Sequence, residues 1–353
     1  MRHLFLSQSF LVFVALAIAA QAIRAAATHD APTAENREVD FGVNGHPLVA
    51  GAYYDLSLER QISLLKTLKL RTYRVNVNPA QPEKFGRLSE LITLSAHEDI
   101  RILPVIVLPP KNYSNENEAY NDAKAKVYEL AKQFDARISV WELGNEYDLY
   151  CVKKNADGDS PEDYDTEEYD VVRGLIKGML AALHEASPSS RSIVQTSQHT
   201  PTSLDSGFLQ RLIEDGITFD ITGYHYYSTN GHVPTTNEGT NALKILHDKF
   251  HKPIWITEFD KSSSSRTVGP SSDPKAQGIA LTAALNEIAA EAHKYDVREA
   301  DIYELLDQPE LLKNPNVRPC EAQFGILSSQ GGLTDASTAV REFLRSYYRD
   351  STR

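Results

Sequence analysis

The chain has 353 residues, of which 41% are hydrophobic and 24% charged, and its formal net charge is −12. A surface of this sign repels phosphate backbones, so we expect no nucleic-acid partner. About 315 residues follow the N-terminal segment, enough for one large α/β domain with a sizeable core.

The N-terminus has the pattern of a secretory signal peptide. A polar start is followed by an apolar run over residues 10–20 and by the small-x-small sequence Ala20-Gln-Ala22. This run is too short and wrongly flanked for a membrane span, although an uncleaved anchor is the alternative. We predict a signal peptide over 1–22, and therefore a secreted or periplasmic protein.

The mature chain is predicted to begin with a flexible segment over 23–38 and to continue as one domain over 39–353. No later stretch approaches the ~20 apolar residues of a membrane span, so no integral membrane segment is expected after signal removal. Export is compatible with a disulfide between Cys151 and Cys320, and equally with two separate buried thiols.

Strand-like and helix-like segments alternate eight times from residue 40 onward. The strand candidates are short, apolar and β-branched, as strands covered on both faces must be; they lie at 40–44, 71–77, 101–108, 138–146, 192–197, 219–226, 253–258 and 301–307. Amphipathic helices are predicted at 56–69, 88–96, 116–134, 161–186, 203–215, 240–250, 273–295 and 335–348. The order predicts a single (β/α)8 TIM barrel. An open doubly wound sheet is weakened as an alternative, because no glycine-rich phosphate loop follows a strand.

Two motifs each place a glutamate where an apolar strand ends. Trp141-Glu-Leu-Gly-Asn145-Glu146 ends the fourth predicted strand, and Trp255-Ile-Thr-Glu258-Phe ends the seventh. Catalytic groups of such barrels lie at the carboxyl ends of the strands, and these two strands face each other across the mouth. Two carboxylates about 5–5.5 Å apart are the equipment of a retaining glycosidase, and a wider gap suits inversion.

These motifs resemble those of clan A of the glycoside hydrolases. The resemblance follows the order of elements along the whole mature chain, but only about a dozen residues carry it specifically. It implies a (β/α)8 retaining glycosidase in which Glu146 is the acid/base and Glu258 the nucleophile. It also implies that Asn145 donates a hydrogen bond to the 2-hydroxyl of the sugar. The family within the clan is left open.

Side chains on the second and sixth predicted strands match the clan pattern as well. Arg74 matches the arginine that supports the nucleophile, and a strand-end salt bridge is its alternative role. His225 and Tyr227 match the position that contacts the nucleophile, and a structural histidine is the alternative role of His225. Glu142 precedes Glu146 by four residues, so we predict that it pairs with a barrel cation and is not catalytic.

The remaining candidates for sugar contact lie near the first and eighth predicted strands. Asn44 and His46 are predicted to touch substrate. Clan members commonly place a tryptophan on the eighth strand, and this chain has none there. Tyr303 is predicted to replace it, and Glu304 or Asp307 to line the cleft.

The sequence thus predicts a retaining glycoside hydrolase that cleaves an O-glycosidic bond in an oligo- or polysaccharide without a metal or organic cofactor. A transglycosylase of the same fold shares both glutamates, and a non-catalytic carbohydrate-binding barrel is a further alternative. The loops at 111–116, 148–165, 228–240 and 261–275 are expected to shape the cleft. The sugar, the linkage, endo or exo action and the oligomeric state stay open.

Overall fold

The computed structural model describes residues 38–198, 203–227, 231–233, 235–236, 239–260, 273–315 and 317–350. Eight parallel strands in these ranges close into a barrel in sequence order. They are β1 (Asp40–Gly45), β2 (Thr72–Val77), β3 (Arg101–Ile106), β4 (Val140–Leu143), β5 (Arg191–Thr196), β6 (Ile221–Tyr227), β7 (Ile254–Asp260) and β8 (Val297–Ile302). The (β/α)8 prediction is confirmed. The predicted signal peptide and residues 23–37 lie outside the described residues.

Helices surround the barrel. They are α1 (Ala52–Asp55), α2 (Leu58–Leu68), α3 (Phe85–Ala96), α4 (Glu116–Phe134), α5 (Tyr147–Cys151), α6 (Thr166–Ala186), α7 (Ser206–Glu214), α8 (Ala242–Phe250), α9 (Pro274–Tyr295) and α10 (Asp335–Asp350). Short 3-10 turns lie at 82–84, 110–112, 161–163, 309–313 and 319–323, and a two-residue antiparallel pair (231–232 with 235–236) follows β6.

The helix boundaries follow from side-chain caps. Helix α4 has its predicted bounds because the Asn115 side chain accepts a hydrogen bond from the Glu118 amide, satisfying an orphan donor of the first turn. The predicted start of the next long helix is wrong. Ser160 and Pro161 open a 3-10 turn, and α6 begins only at Thr166, where Asp165 caps it.

The eighth strand begins four residues earlier than predicted, at Val297, and ends at Ile302. Its segment Val-Arg-Glu-Ala-Asp-Ile carries three charged residues, and it therefore lacks the apolar pattern that the prediction required. Glu299 and Asp301 are buried on a polar side of the barrel interior, so charged residues can occur within this strand. The apolar run after Ile302 is loop, in which Leu305 donates its amide to the carbonyl of Asn44.

The core has two parts. The larger part lies between the strands and the helices and contains Trp141. A smaller apolar cluster fills one side of the barrel interior and consists of Leu103, Val140, Ile193, Ile221 and Trp255. Both tryptophans are buried, as predicted. Cys151 and Cys320 are separate free thiols, both buried. No helix in the described part of the chain has the length and apolarity that a membrane crossing requires.

Candidate active site

The turn after β4 presents Glu146 to the barrel mouth. Gly144 has a φ of 86°, and a Cβ there would lie 2.3 Å from the Tyr147 ring. Tyr147 anchors this turn, because its hydroxyl donates to the carbonyl of Leu108 at 2.7 Å. Glu146 itself is left-handed, with φ 51° and ψ 44°, a conformation that is uncommon for non-glycine residues. Its side chain is 31% exposed.

A β-bulge in β7 aims two consecutive side chains into the barrel. Gly223 pairs with Trp255 and His225 with Glu258, so β7 advances three residues where β6 advances two. Side chains of a regular strand alternate between faces, and the extra residue breaks that alternation. Thr257 and Glu258 therefore both face inward, where Thr257 Oγ1 donates to Glu142 at 3.0 Å.

The two glutamates at the strand ends meet around His225. One side-chain oxygen of each glutamate and one ring nitrogen of His225 all lie within 4.8 Å of one another. His225 Nδ1 lies 3.4 Å from Glu146 Oε1 and 3.6 Å from Glu258 Oε2. The predicted meeting of both carboxylates at one mouth is confirmed. Their separation matches the narrow gap of retaining glycosidases and is too small for the water that inversion places between them.

Glu258 is held as a carboxylate. Its side chain is only 6% exposed, Arg74 Nη1 donates to Oε1 at 2.6 Å, and the Tyr227 hydroxyl donates to Oε2. Burial on its own raises the pKa of this carboxyl group. The charges of His225 and Arg74 and the Tyr227 hydrogen bond outweigh burial, and the pKa of Glu258 is lowered below its usual value. An ionised, buried carboxylate is suited to nucleophilic attack.

Arg74 lies inside the barrel and donates hydrogen bonds both to Glu142 on β4 and to Glu258 on β7. It donates from Nε and Nη2 to both oxygens of Glu142, at 2.6 and 2.9 Å, in a bidentate pair. The prediction that Glu142 pairs with a barrel cation is therefore confirmed. Burial raises the pKa of Glu142, but Arg74 and His225 lower it to about 2, so Glu142 is an anion at every working pH.

Arg74 also contacts two asparagines, with different consequences. Arginine has only donors, so Asn145 must accept with Oδ1, 2.9 Å from Nη2, and its two N–H groups can serve a sugar hydroxyl. Asn44 accepts from Nη1 at 2.6 Å and donates to the Thr257 carbonyl at 3.0 Å, and it is 2% exposed. The predicted substrate contact of Asn44 is therefore wrong, because both ends of its amide are engaged inside the barrel. Asn44 holds Arg74 instead.

An aromatic wall continues from Glu258 along the mouth. Tyr303 lies 6.1 Å from Tyr227 and 6.0 Å from His46, measured between ring centroids. Tyr303 and His46 are partly exposed, so they can face a sugar ring. Because these rings offer both apolar faces and polar tips, the wall suits a sugar ring with hydroxyls at its edge.

Glu304 lies behind this wall. It is fully buried, and it accepts hydrogen bonds from the Tyr53 hydroxyl and from Gln308 Nε2, both at 2.9 Å. His46 Nε2 lies 3.3 Å from the same carboxylate. The prediction that Glu304 lines the cleft is wrong, because its neighbours cover it; it orients His46. Asp307 accepts from the Gly325 amide at 3.1 Å and holds a loop.

Three groups, Glu146, His225 and Glu258, also offer ligand atoms close enough for one metal ion. A cation there would compete with Arg74 for Glu258, and the two ring nitrogens of His225 already have partners in Thr257 and Glu146. The residues present therefore fit acid–base and nucleophilic chemistry better than metal binding.

Sequence reasoning passed over two groups of the site. Thr257 entered only as a letter of the motif around Glu258, although its hydroxyl joins Glu142 to His225. Tyr147, directly after Glu146, was not assigned a role, although its hydroxyl anchors the turn. A polar residue directly before Glu258 was the available signal for Thr257, but the direction of its side chain depends on the bulge.

Comparison with protein families gives a match to glycosyl hydrolase family 53 over residues 110–293, just over half of the chain. This range contains both glutamates of the site. A search of curated proteins finds no match.

Solved structures share the fold at low identity. The β-glucosidase of Thermotoga maritima in complex with azafagomine has a TM-score of 0.65 at 12% identity, over 89% of this chain and 98% of that chain. A glucosidase from Croceicoccus marinus has a TM-score of 0.64 at 13% identity, over 88% of this chain and 68% of that chain. The AHE enzyme from Alicyclobacillus herbarius has a TM-score of 0.63 at 11% identity, over 88% and 97%.

The predicted clan is confirmed by the family match, and a carbohydrate-binding barrel without activity is not favoured. The chain belongs to glycosyl hydrolase family 53, in clan A, and is a retaining glycoside hydrolase.

Proposed function

We propose that Glu258 is the nucleophile and Glu146 the acid/base of this glycosidase, in a double displacement on an oligo- or polysaccharide. The observation that carries the assignment is the unequal environment of the two carboxylates within 4.8 Å of each other. Glu258 is 6% exposed and faces Arg74, whereas Glu146 is 31% exposed at the mouth, where a leaving group must depart. Different environments of this kind separate the two roles.

In the first step, a Glu258 oxygen bonds to the anomeric carbon while the bond to the leaving oxygen breaks. Glu146 gives its proton to that oxygen. In the second step, Glu146 as carboxylate takes a proton from water, the water oxygen bonds to the anomeric carbon, and the Glu258 carboxylate departs. Asn145 donates to the 2-hydroxyl, a contact that strengthens as charge develops on the ring.

The sugar in this proposal lies along the wall of Tyr227, Tyr303 and His46. We assign a β-glycosidic bond, and the β-glucosidase of Thermotoga maritima among the structures of similar fold supports that choice. The predicted cleft loop 261–275 lies largely outside the described residues, as does part of 228–240. A transglycosylase differs only by excluding water from the second step, and product analysis with and without acceptor sugars separates the two.

The assignment of roles is tested by trapping the covalent intermediate. After a screen of 4-nitrophenyl β-glycosides identifies the sugar that is cleaved, the corresponding 2-deoxy-2-fluoro glycoside with a dinitrophenyl leaving group is added. We expect slow inactivation and a peptide mass increase located at Glu258. Glu146→Ala is the matched control, because an activated leaving group needs no proton and labelling should persist. A label on Glu146, or on neither residue despite inactivation, contradicts the assignment.

Export is the second part of this proposal, and it rests on the sequence pattern of residues 1–22. Expressed with its own N-terminus in a secreting host, the mature protein is expected outside the cytoplasm with Ile23 as its first residue. Mass spectrometry of the N-terminal peptide checks this. Recovery of the intact N-terminus from a membrane fraction would instead favour the uncleaved anchor.

A further inference from the structure

His225 lies between two pairs of hydrogen-bond acceptors. Its Nε2 lies 3.1 Å from Thr257 Oγ1 and 3.5 Å from Glu142 Oε1. Its Nδ1 lies 3.4 Å from Glu146 Oε1 and 3.6 Å from Glu258 Oε2. We propose that His225 stays doubly protonated through the reaction, with Glu142 as its fixed counter-charge, and that its Nδ1–H serves whichever catalytic carboxylate is ionised. The inference rests on the roles proposed above for Glu146 and Glu258.

The proton on Nε2 follows from the hydrogen bonds around Thr257. Glu142 accepts two hydrogen bonds from Arg74, and the charge of that guanidinium keeps Glu142 a carboxylate. The Thr257 hydroxyl has one proton, and it donates that proton to Glu142 Oε1 at 3.0 Å. Thr257 Oγ1 is then left to accept from His225, which places a hydrogen on Nε2. Arg74 Nη2 also lies 3.4 Å from Nε2, but its two hydrogens are directed at Glu142 Oε1 and Asn145 Oδ1, so Nε2 is not needed as an acceptor.

The proton on Nδ1 follows from its two neighbours. An unprotonated Nδ1 would present a lone pair to carboxylate oxygens of Glu146 and Glu258, and a protonated one can donate to either. Burial lowers the pKa of His225, but the charge of Glu258 and hydrogen bonds to Glu142 and Glu146 raise it to about 10. Electrostatics therefore supports the double protonation that the hydrogen bonds indicate.

The charges balance in both states of the first step. Before attack, the cations Arg74 and His225 face the anions Glu142 and Glu258, while Glu146 holds its proton. Once the glycosyl ester forms, Glu258 is neutral and Glu146 is a carboxylate, so the negative charge has moved from one neighbour of Nδ1 to the other. A donor already placed between both positions stabilises each state without reorganising, which is how preorganised sites lower barriers.

Glu142 acts through His225 and is therefore a positioning residue. Without its charge, two buried cations would face a single carboxylate, and the neutral imidazole would be favoured. Several charged or titratable groups face the ring from other elements or influence its charge; they are Arg74 on β2, Glu146 and Asp148 after β4, Glu258 on β7 and Tyr227 on β6. Of these, only Glu146 and Glu258 change charge during the proposed cycle.

Nitrogen-15 NMR of the histidine side chains tests the proposal without substrate. The His225 signals are assigned by their loss in His225→Gln. In the unmodified chain we expect both ring nitrogens to show imidazolium shifts and attached hydrogens at pH 7. In Glu142→Gln we expect the titration of His225 to move down by about one to three pH units. The matched control is Glu304→Gln, another buried carboxylate of the same rim, which should leave it unchanged.

Thr257→Val provides a second variant if Glu142→Gln does not fold, because it removes only the bridging hydroxyl and should lower the same titration by a smaller amount. A neutral His225 ring at pH 7 in the unmodified chain overturns the proposal. So does an unchanged titration in whichever of the two variants fold. Failure of the Glu258 labelling experiment would instead remove the assigned roles, and leave the charge of His225 as measured.

A kinetic readout separates positioning from a structural role. In Glu142→Gln, the alkaline limb of kcat/KM on the best 4-nitrophenyl glycoside should shift to lower pH, in parallel with the NMR titration. A residue that only supports the fold would lower activity equally at all pH values. An unshifted profile with a shifted NMR titration would show that the reaction does not use the imidazolium.

Discussion

Two clusters of charged residues lie at opposite ends of the barrel, and their buried carboxyl groups are in different states. The upper cluster, at the mouth, consists of Arg74, Glu142, His225 and Glu258. The lower cluster, at the opposite end, consists of Asp40, Arg101, Glu299 and Asp301. In the upper cluster two cations meet two carboxylates, and the pKa values of Glu142 and Glu258 are lowered. In the lower cluster Arg101 contacts Glu299 and Asp40, and Asp40 also pairs with Arg71. Burial raises the pKa of Glu299 to about 7 despite Arg101.

The contrast shows how one barrel keeps acids in different states. Asp301 packs against the backbone of Gly42, where an added Cβ would lie 2.0 Å from Asp301 Oδ1. Burial and the neighbouring Glu299 raise the pKa of Asp301 well above its usual value. Glu299 and Asp301 therefore hold protons near neutral pH, while Glu142 and Glu258 are ionised.

The sharpest test of the upper cluster is Glu258→Gln. An amide cannot attack the anomeric carbon, so we expect kcat to fall by about four orders of magnitude or more. Arg74 keeps its pair with Glu142, so thermal unfolding should change far less than activity does. Turnover of an aryl β-glycoside and a melting curve on the same preparation check both statements. Activity within about tenfold of the unmodified chain would exclude Glu258 as nucleophile.

Replacing Arg74 tests whether the balance of positive and negative charge stabilises the upper cluster. Arg74→Met leaves Glu142 and Glu258 buried without their guanidinium, so we expect the free energy of unfolding to drop by about 3–5 kcal/mol. Urea denaturation at pH 7 measures it. Arg173→Met is the control, because the ion pairs of Arg173 with Glu116 and Asp215 are partly exposed and contribute about 1 kcal/mol or less. Equal losses of unfolding free energy in the two variants would contradict the proposed difference between the buried cluster and a partly exposed ion pair.

The lower cluster should make stability depend on pH. In the folded chain Glu299 keeps its proton up to about pH 7, whereas in the unfolded chain it loses the proton near its ordinary pKa of 4.5. The folded chain therefore binds more protons in this window, and stability must fall as pH rises through it. Glu299→Gln stays neutral and should flatten the fall by about 3 kcal/mol. Urea denaturation from pH 4.5 to pH 8 compares the slopes, and identical slopes would refute the raised pKa.

The smallest effect is expected outside both clusters. Asp165 caps α6 by accepting from the amides of Glu167 and Glu168 at 3.0 and 3.1 Å. Asp165→Ala should lower the free energy of unfolding by about 1 kcal/mol. Neither kcat nor the pH dependence of stability should change, because the charge lies on the surface. A loss of turnover in Asp165→Ala would show that α6 is energetically coupled to the upper cluster.

Sequence reasoning reached most of the fold and the two central residues of the site. Strands buried on both faces must be apolar over their length, so seven of the eight were predicted within a few residues. The eighth was misplaced because Arg298, Glu299 and Asp301 interrupt that pattern. Parallel strands bring their carboxyl ends to one mouth, so the positions of Glu146 and Glu258 at strand ends sufficed to predict that they meet.

The sequence by itself therefore determined the order of elements, the mouth of the barrel and the pair of glutamates. Only the tertiary structure decided that a bulge turns Thr257 and Glu258 inward together, and that Asn44 and Glu304 support neighbours instead of touching sugar. The physical reason is that strand register, burial and charge balance depend on contacts between distant segments, such as Arg74 with Glu258, 184 residues apart. Local sequence patterns predict the secondary structure of each segment, but they do not specify which distant residues that segment contacts.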